Sequence, residues 1–294
     1  MIRDLTQQSQ PVVGVFLEGK ILRAGRVFQN KVEESVTHEI DNLGSEEYVI
    51  NQVIKAIAQV FTPEVAGIGI GVPSIVDVSK GIVYNAEHIP SWKKVYLADL
   101  LMAYFKTGIY VNNDANCFAI GEKYYGRGQK YSNMVGIIAG VGIGVGIIID
   151  NKLYSGTNCG AGEFGYVPYR DYNYERYCTT TYFEEKYGVK ADPLYTRAKK
   201  GDKIALSILE QFGFDFGNFI KTILFTLDPQ LIVIGGNLTR FFPFIEPHIR
   251  KTLRTFPFSN TIQNLRIEVS TEPDVAILGA AALYFDTANR NQSM

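Results

Sequence analysis

Hydrophobic positions along this chain follow two periods. Short, nearly unbroken apolar runs at 12–17, 65–72, 109–111, 135–139, 145–149 and 231–234 read as strands buried on both faces. Residues 20–27 and 31–40 read as two further strands, the first returning from a tight turn at Glu18-Gly19. The helical period takes over after Ser45, a good N-cap, where Val49, Ile50, Val53, Ile54, Ile57, Val60 and Phe61 fall on one face. Residues 97–105, the long apolar run 206–227 and the small-residue run 275–284 read as helices, and 265–269 as a last strand. Each half of the chain opens with a Gly-turned hairpin and continues through strands and helices, the pattern of an ancient duplication.

The densest pattern lies at 136–166. Gly140, Gly142, Gly144 and Gly146 recur at every second position. On a pleated strand that period strips one face of side chains, so something can approach the backbone closely. A phosphate chain is one such ligand, because N–H groups exposed in a Gly-rich turn form an anion-binding concavity. Close packing of two strands is the other use of such glycines. The alternating glycines of the hairpin are neither followed by Gly-Lys-Ser/Thr nor arranged as a GxGxxG opening a helix. Further on, Gly160-Ala161-Gly162-Glu163-Phe164-Gly165 sets one acid among small residues.

Composition narrows the class. At 294 residues the chain is long enough for two lobes, and 46% hydrophobic with 20% charged residues is ordinary for a globular protein. A net charge of −1 offers no footprint for nucleic acid or an anionic membrane. Cys117, Cys159 and Cys178 are scattered and odd in number, which suits a reducing cytoplasm rather than a disulfide framework. The first ten residues are polar, with Arg3 and Asp4, and lack the apolar core of a signal peptide. No run reaches the ~18 apolar residues of a membrane span.

In order along the chain stand Gly71-Val72-Pro73, Asn113-Asp114-Ala115-Asn116, the glycines at 140–146, Gly162-Glu163-Phe164-Gly165, Ile234-Gly235-Gly236-Asn237 and Leu278-Gly279-Ala280-Ala281. These resemble the landmarks of the ROK family, bacterial sugar kinases and related sugar-responsive repressors within the actin-like ATPase superfamily. The match runs from about 12 to 283. It implies an α/β, actin-like (RNase H-like) two-lobe fold with duplicated βββαβα units. A smaller lobe is expected over 1–115, with the helix from about 275 packing back on it, and a larger lobe over 116–294. The ligand is expected between such halves.

The resemblance also assigns roles. Asp114 is the expected catalytic base, taking a proton from a sugar hydroxyl. Asn113, both donor and acceptor, suits a sugar hydroxyl; alone, the Asn-Asp-Ala-Asn run equally suits a turn or helix cap. Gly71 and Glu163 match sugar-site positions, Tyr166 stands where a zinc-binding histidine is usual, and its hydroxyl could face the sugar. Glu184 aligns poorly and reads equally well as a solvated acid. Gly140, Gly142 and Gly144 are the expected phosphate side, Gly235, Gly236 and Asn237 the adenosine turn, and Gly279 lets a helix approach the nucleotide. ATP and magnesium are the implied cofactors if the chain is active, and a homodimer is expected, with the apolar run 241–245 buried or at an interface.

Three departures qualify this. In the first hairpin Phe16, Glu18 and Lys20 replace the usual Asp, Gly and Thr. In the second, Val141 replaces a phosphate-binding Thr. The zinc cluster is reduced to tyrosines and Cys178, which with no histidine cannot make a tetrahedral site, so no zinc is expected. Two classes therefore stand: an ATP-dependent sugar kinase with weak or lost transfer, and a non-catalytic sugar sensor. Whether the chain is an enzyme is left open. Only eleven residues precede the first strand, too few for a helix-turn-helix, so no direct contact with nucleic acid and none with membrane is expected.

Overall fold

Strand β1 (Val12–Glu18) is buried at every position but its last, as a central strand covered on both faces must be. Gly19, at φ 59°, turns the chain into β2 (Ile21–Phe28), and β3 (Lys31–Glu39) adds a largely exposed antiparallel edge. Helix α1 (Glu46–Val60) starts at Ser45, whose hydroxyl accepts from the Tyr48 amide at 3.3 Å. β4 (Gly67–Val72) then lies parallel to β1. β5 (Ile75–Asp77), β6 (Ile82–Tyr84) and β7 (Lys94–Val95) make a small separate sheet that the hydrophobic pattern did not reveal. After α2 (Leu97–Phe105), β8 (Gly108–Asn113) pairs parallel with β4 and completes the order β3-β2-β1-β4-β8 before α3 (Asp114–Tyr124). The structure is a computed structural model and describes residues 9–291; Arg3 and Asp4, on which the leader reading rests, lie outside the described residues.

The second half begins with β9 (Met134–Ala139), β10 (Ile143–Ile149) and β11 (Lys152–Leu153). A ribbon of β12 (Pro168–Tyr169) and β13 (Tyr172–Asn173) precedes α4 (Tyr174–Tyr177), α5 (Thr181–Tyr187), α6 (Ala191–Lys199) and the 25-residue α7 (Lys203–Leu227). β14 (Leu231–Gly235), α8 (Phe242–Leu253), α9 (Ser259–Asn264), β15 (Arg266–Val269) and α10 (Val275–Asn291) complete the chain. The second five-stranded sheet has the order β11-β10-β9-β14-β15. In both sheets the order runs third, second, first, then two later strands that pair in parallel, so the duplicated fold predicted from the hairpins is present.

Two compact units result. One takes in the chain up to Ser132, Gly146–Ala161 and the segment from Thr271; the other comprises Asn133–Val145 and Gly162–Ser270. The sequence reading placed the change of lobe at 115/116. In the first unit, α10 approaches β1 and β4 so closely that a Cβ on Gly14 or Gly69 would run into the carbonyls of Ile277 and Ala280. In the second, Gly213 and Gly217 let α7 meet α8, and Phe183, Phe212, Phe216, Phe219 and Phe241 fill the core. Of the apolar run 241–245, Phe241 and Ile245 are fully buried, Phe242 and Phe244 are half-buried, and Pro243 is exposed. No helix among the described residues is long and apolar enough to cross a membrane.

Candidate functional site

In the first unit the site forms where β8 ends and α3 begins. Asn113 caps α3: its Oδ1 accepts from the amides of Ala115 (2.9 Å) and Asn116 (3.3 Å), and its Nδ2 donates to the Ser74 carbonyl at 3.3 Å. The cap reading of Asn113 is met, and it leaves the side chain one amide hydrogen. Asn112 beneath it is buried, and its Oδ1 takes bonds from Asn113 N (2.8 Å) and Asn116 Nδ2 (2.9 Å), so the turn is fixed from below.

Asp114 is the first residue of α3, and its Oδ1 accepts from the Ala115 amide at 2.9 Å. Removal from water pushes its carboxyl up to about 7; Glu87 and Glu18 add to the rise, and the Ala115 bond opposes it. A carboxyl titrating near neutrality is suited to take up a proton in the working pH range. Gly71 lies beside it, paired with Asn112 across β4 and β8 and with Phe16 across β4 and β1. A Cβ there would sit 3.0 Å from Cys117 Sγ and from the Phe16 ring, so its side is already filled by internal packing. Gly279 likewise meets backbone, the Cys117 carbonyl on α3.

The first turn lacks the chemistry expected of a phosphate hairpin. Phe16 is 4% exposed and supplies no oxygen for a magnesium ion. Glu18 is exposed, 3.9 Å from Arg23, on an open turn. The residues present do not fit a hydrated metal here.

In the second unit the glycine turn stands differently. A Cβ on Gly142 would meet nothing within 4 Å, and one on Gly140 would meet only Asn237, at 3.6 Å or beyond. Gly236, at φ 79°, is held against the Ala139 backbone, which brings the Gly235-Gly236-Asn237 turn beside Gly140. The expected phosphate and adenosine positions are therefore neighbours. Gly144 lies on β10 just beyond the turn. The backbone at Gly142 is open, while Val141, 65% exposed, carries no hydroxyl.

Thr180 pins the turn by donating its amide (2.7 Å) and hydroxyl (3.0 Å) to the Gly140 carbonyl, with Thr181 Oγ1 3.5 Å from the Val141 carbonyl. The sequence reading missed these threonines; three in a row before a helix was the available signal. Glu163 is exposed and leads into a 3₁₀ turn, Phe164–Tyr166, which leaves Tyr166 66% exposed. Glu184 is exposed on α5.

The loop that follows is packed by tyrosines. Tyr169 stacks on Tyr174 (4.4 Å, 16°) and meets Tyr177 edge-on at 5.5 Å. Cys178 is buried, with its thiol held well above the usual range by burial. Among the described residues no group of three or more His, Cys, Asp and Glu is placed to hold a metal ion. Trp92 is fully buried and acts as a core anchor, while His38 is exposed and hydrogen-bonds Gln59 at 3.0 Å.

A model of the ROK family matches residues 17–287. A xylose repressor of Caldicellulosiruptor bescii is 28% identical over 80% of this chain and 66% of its own length. A glucokinase of Thermotoga maritima is 25% identical over 92% of this chain and 96% of its own. The solved structure of a ROK family glucokinase from Streptomyces griseus, in complex with glucose and AMPPNP, superposes with a TM-score of 0.77 at 21% identity, covering 93% of this chain and 98% of that one. The chain thus spans about two thirds of the repressor and nearly all of the glucokinase.

Proposed function

The chain belongs to the ROK family, and on that premise we propose that it binds a hexose or N-acetylhexosamine and retains a sugar-kinase frame whose phosphoryl transfer is weak or lost. The observation that carries the reading is Asp114, a carboxyl with pKa about 7 at the start of α3, set beside Asn113. In a working kinase the Asp114 carboxylate takes the proton as a sugar hydroxyl oxygen bonds to the γ-phosphorus and ADP leaves. In the first unit Asn113 is the candidate sugar contact; in the second, Glu163 and Tyr166 are candidate contacts, with Glu184 a further one. Gly140, Gly142, Gly144, Gly235, Gly236 and Asn237 receive the nucleotide. When bound, magnesium would neutralise phosphate charge, but Phe16 gives it no ligand.

The second reading, a sugar sensor without turnover, is favoured by that same turn. Glu18 puts negative charge where triphosphate charge would sit, Lys20 offsets it only in part, and phosphoryl transfer relies on positioning and electrostatics. Such a sensor would lend its sugar domain to a DNA-binding partner. We place either form in the cytoplasm as a homodimer without zinc. Calorimetric titration with a hexose panel and with ATP-magnesium decides the central point. Sugar should bind more tightly than nucleotide; micromolar ATP binding with no sugar response would overturn the proposal.

A further inference from the structure

Helix α7 is apolar along most of its length, yet Gln211, Asp215, Asn218 and Thr222 interrupt it at intervals of four, three and four, which puts them on one face. Asp215 is fully buried. Its Oδ1 accepts from Arg170 at 2.6 Å and from the Tyr169 hydroxyl at 2.9 Å, and its Oδ2 accepts from Gln211 Nε2 at 3.1 Å. Two turns on, Thr222 Oγ1 donates to the Tyr174 hydroxyl at 2.9 Å, and that hydroxyl donates to the Asn218 carbonyl at 3.2 Å. Every partner outside the helix lies in the loop 168–177.

A buried ion pair is a poor source of net stability, since desolvation of each ion offsets most of the attraction. Apolar residues in place of both partners could pack the helix as well. What the polar row adds is direction: it fixes one loop in one place. That loop continues directly from the turn carrying Glu163 and Tyr166. The Val167 amide donates to the Phe164 carbonyl and the Tyr174 amide to the Val167 carbonyl, each at 3.2 Å. Gly165 has no room for a Cβ between Ile143 and Glu175. A shift of the loop therefore moves Glu163 and Tyr166.

We propose that the polar row of α7, centred on Asp215, is a positioning device for Glu163 and Tyr166. The proposal rests on the sugar-site reading above. The test uses the full chain with Tyr169→Phe, which keeps the ring stack and removes one hydroxyl, and with Asp215→Asn. Each is expected to weaken binding of the tightest sugar of the panel by about tenfold, the equivalent of one hydrogen bond to a charged group, and to leave ATP affinity unchanged. Combined with Glu163→Gln, the two losses should overlap rather than multiply. Amide exchange at 163–167 should accelerate in both single variants.

Unchanged sugar affinity in both, or losses that multiply fully, overturns the positioning role. If Glu163→Gln alone leaves sugar binding intact, the sugar-site reading fails instead. Exchange then still judges the row: unaltered protection at 163–167 would overturn it, and faster exchange would uphold it.

Discussion

The two hairpin turns that open the duplicated halves have diverged in opposite ways. The first, at Glu18-Gly19-Lys20, keeps its geometry: β1 and β2 stay paired residue for residue from Val12↔Val27 to Glu18↔Ile21, and Gly19 remains left-handed. Its side chains depart from the family pattern, with a buried phenyl at 16 and a carboxylate at 18. The second, at Gly140-Val141-Gly142, keeps an open backbone and lies beside the Gly235-Gly236-Asn237 turn, and only a hydroxyl is missing. Backbone pairing and glycine conformation suffice to preserve a hairpin as fold, whereas phosphate handling needs particular side chains. A turn can therefore depart from its family's phosphate-binding pattern without loss of structure.

The largest effect concerns the base. If the second turn alone sustains transfer, Asp114→Ala should lower sugar-dependent ATP turnover by about 10²–10⁴-fold while sugar binding survives. The wild-type rate should also climb with pH through about 7 as the carboxyl ionises. A wild type indistinguishable from Asp114→Ala would mean that the first turn decided the outcome, and ordinary kinase turnover of about 1–100 per second would mean that its loss counts for little.

Next comes an attempt to restore the first turn. Phe16 is buried against Gly71, so Phe16→Asp removes a core ring and buries a carboxyl, a loss of about 3 kcal/mol or more read by denaturant unfolding. Glu18→Gly with Lys20→Thr, on the exposed turn, should change stability by less than about 0.5 kcal/mol and raise nucleotide affinity. Equal stability losses in the two would show that Phe16 is not part of the core.

Much of this was legible in the sequence. The glycine period, the apolar runs and the Ser45 cap fixed the strands and α1, because burial on both faces and cap chemistry leave local traces. The small sheet of β5, β6 and β7 was not, since strands of two or three residues carry no period. Nor was the row on α7. Each of its polar residues looks like a stray in an apolar helix until Tyr169, Arg170 and Tyr174, some 45 residues away, are seen to meet them. For Gly71 and Gly279, sequence alone could not separate ligand approach from internal packing, and the space beside both is taken by Cys117.

A smaller effect sharpens the account of Asp114. Its folded-state carboxyl releases the proton near pH 7, against an ordinary value of 3.8. Between those values the folded chain holds a proton that the unfolded chain has lost, so this group's contribution to stability declines as pH rises from about 4 to about 7. Asp114→Asn removes the decline. Its melting temperature relative to wild type should rise across that window and level off above it; a constant difference would show that Asp114 is not held protonated.

The smallest expected effect is the most discriminating between the turns. Val141 is 65% exposed, so Val141→Thr exchanges a methyl for a hydroxyl in solvent and should leave stability within about 0.5 kcal/mol. The neighbouring backbone is already arranged: Thr180 holds the Gly140 carbonyl, and Gly142 is open. One added hydroxyl to a charged phosphate in a preformed turn is worth up to about 1.5–3 kcal/mol, so ATP affinity should improve roughly tenfold or more, with sugar affinity unchanged. No gain would mean that the second turn has drifted as far from nucleotide binding as the first, despite its open backbone. A gain here, together with none from Glu18→Gly and Lys20→Thr, would place the remaining nucleotide affinity on the second turn alone.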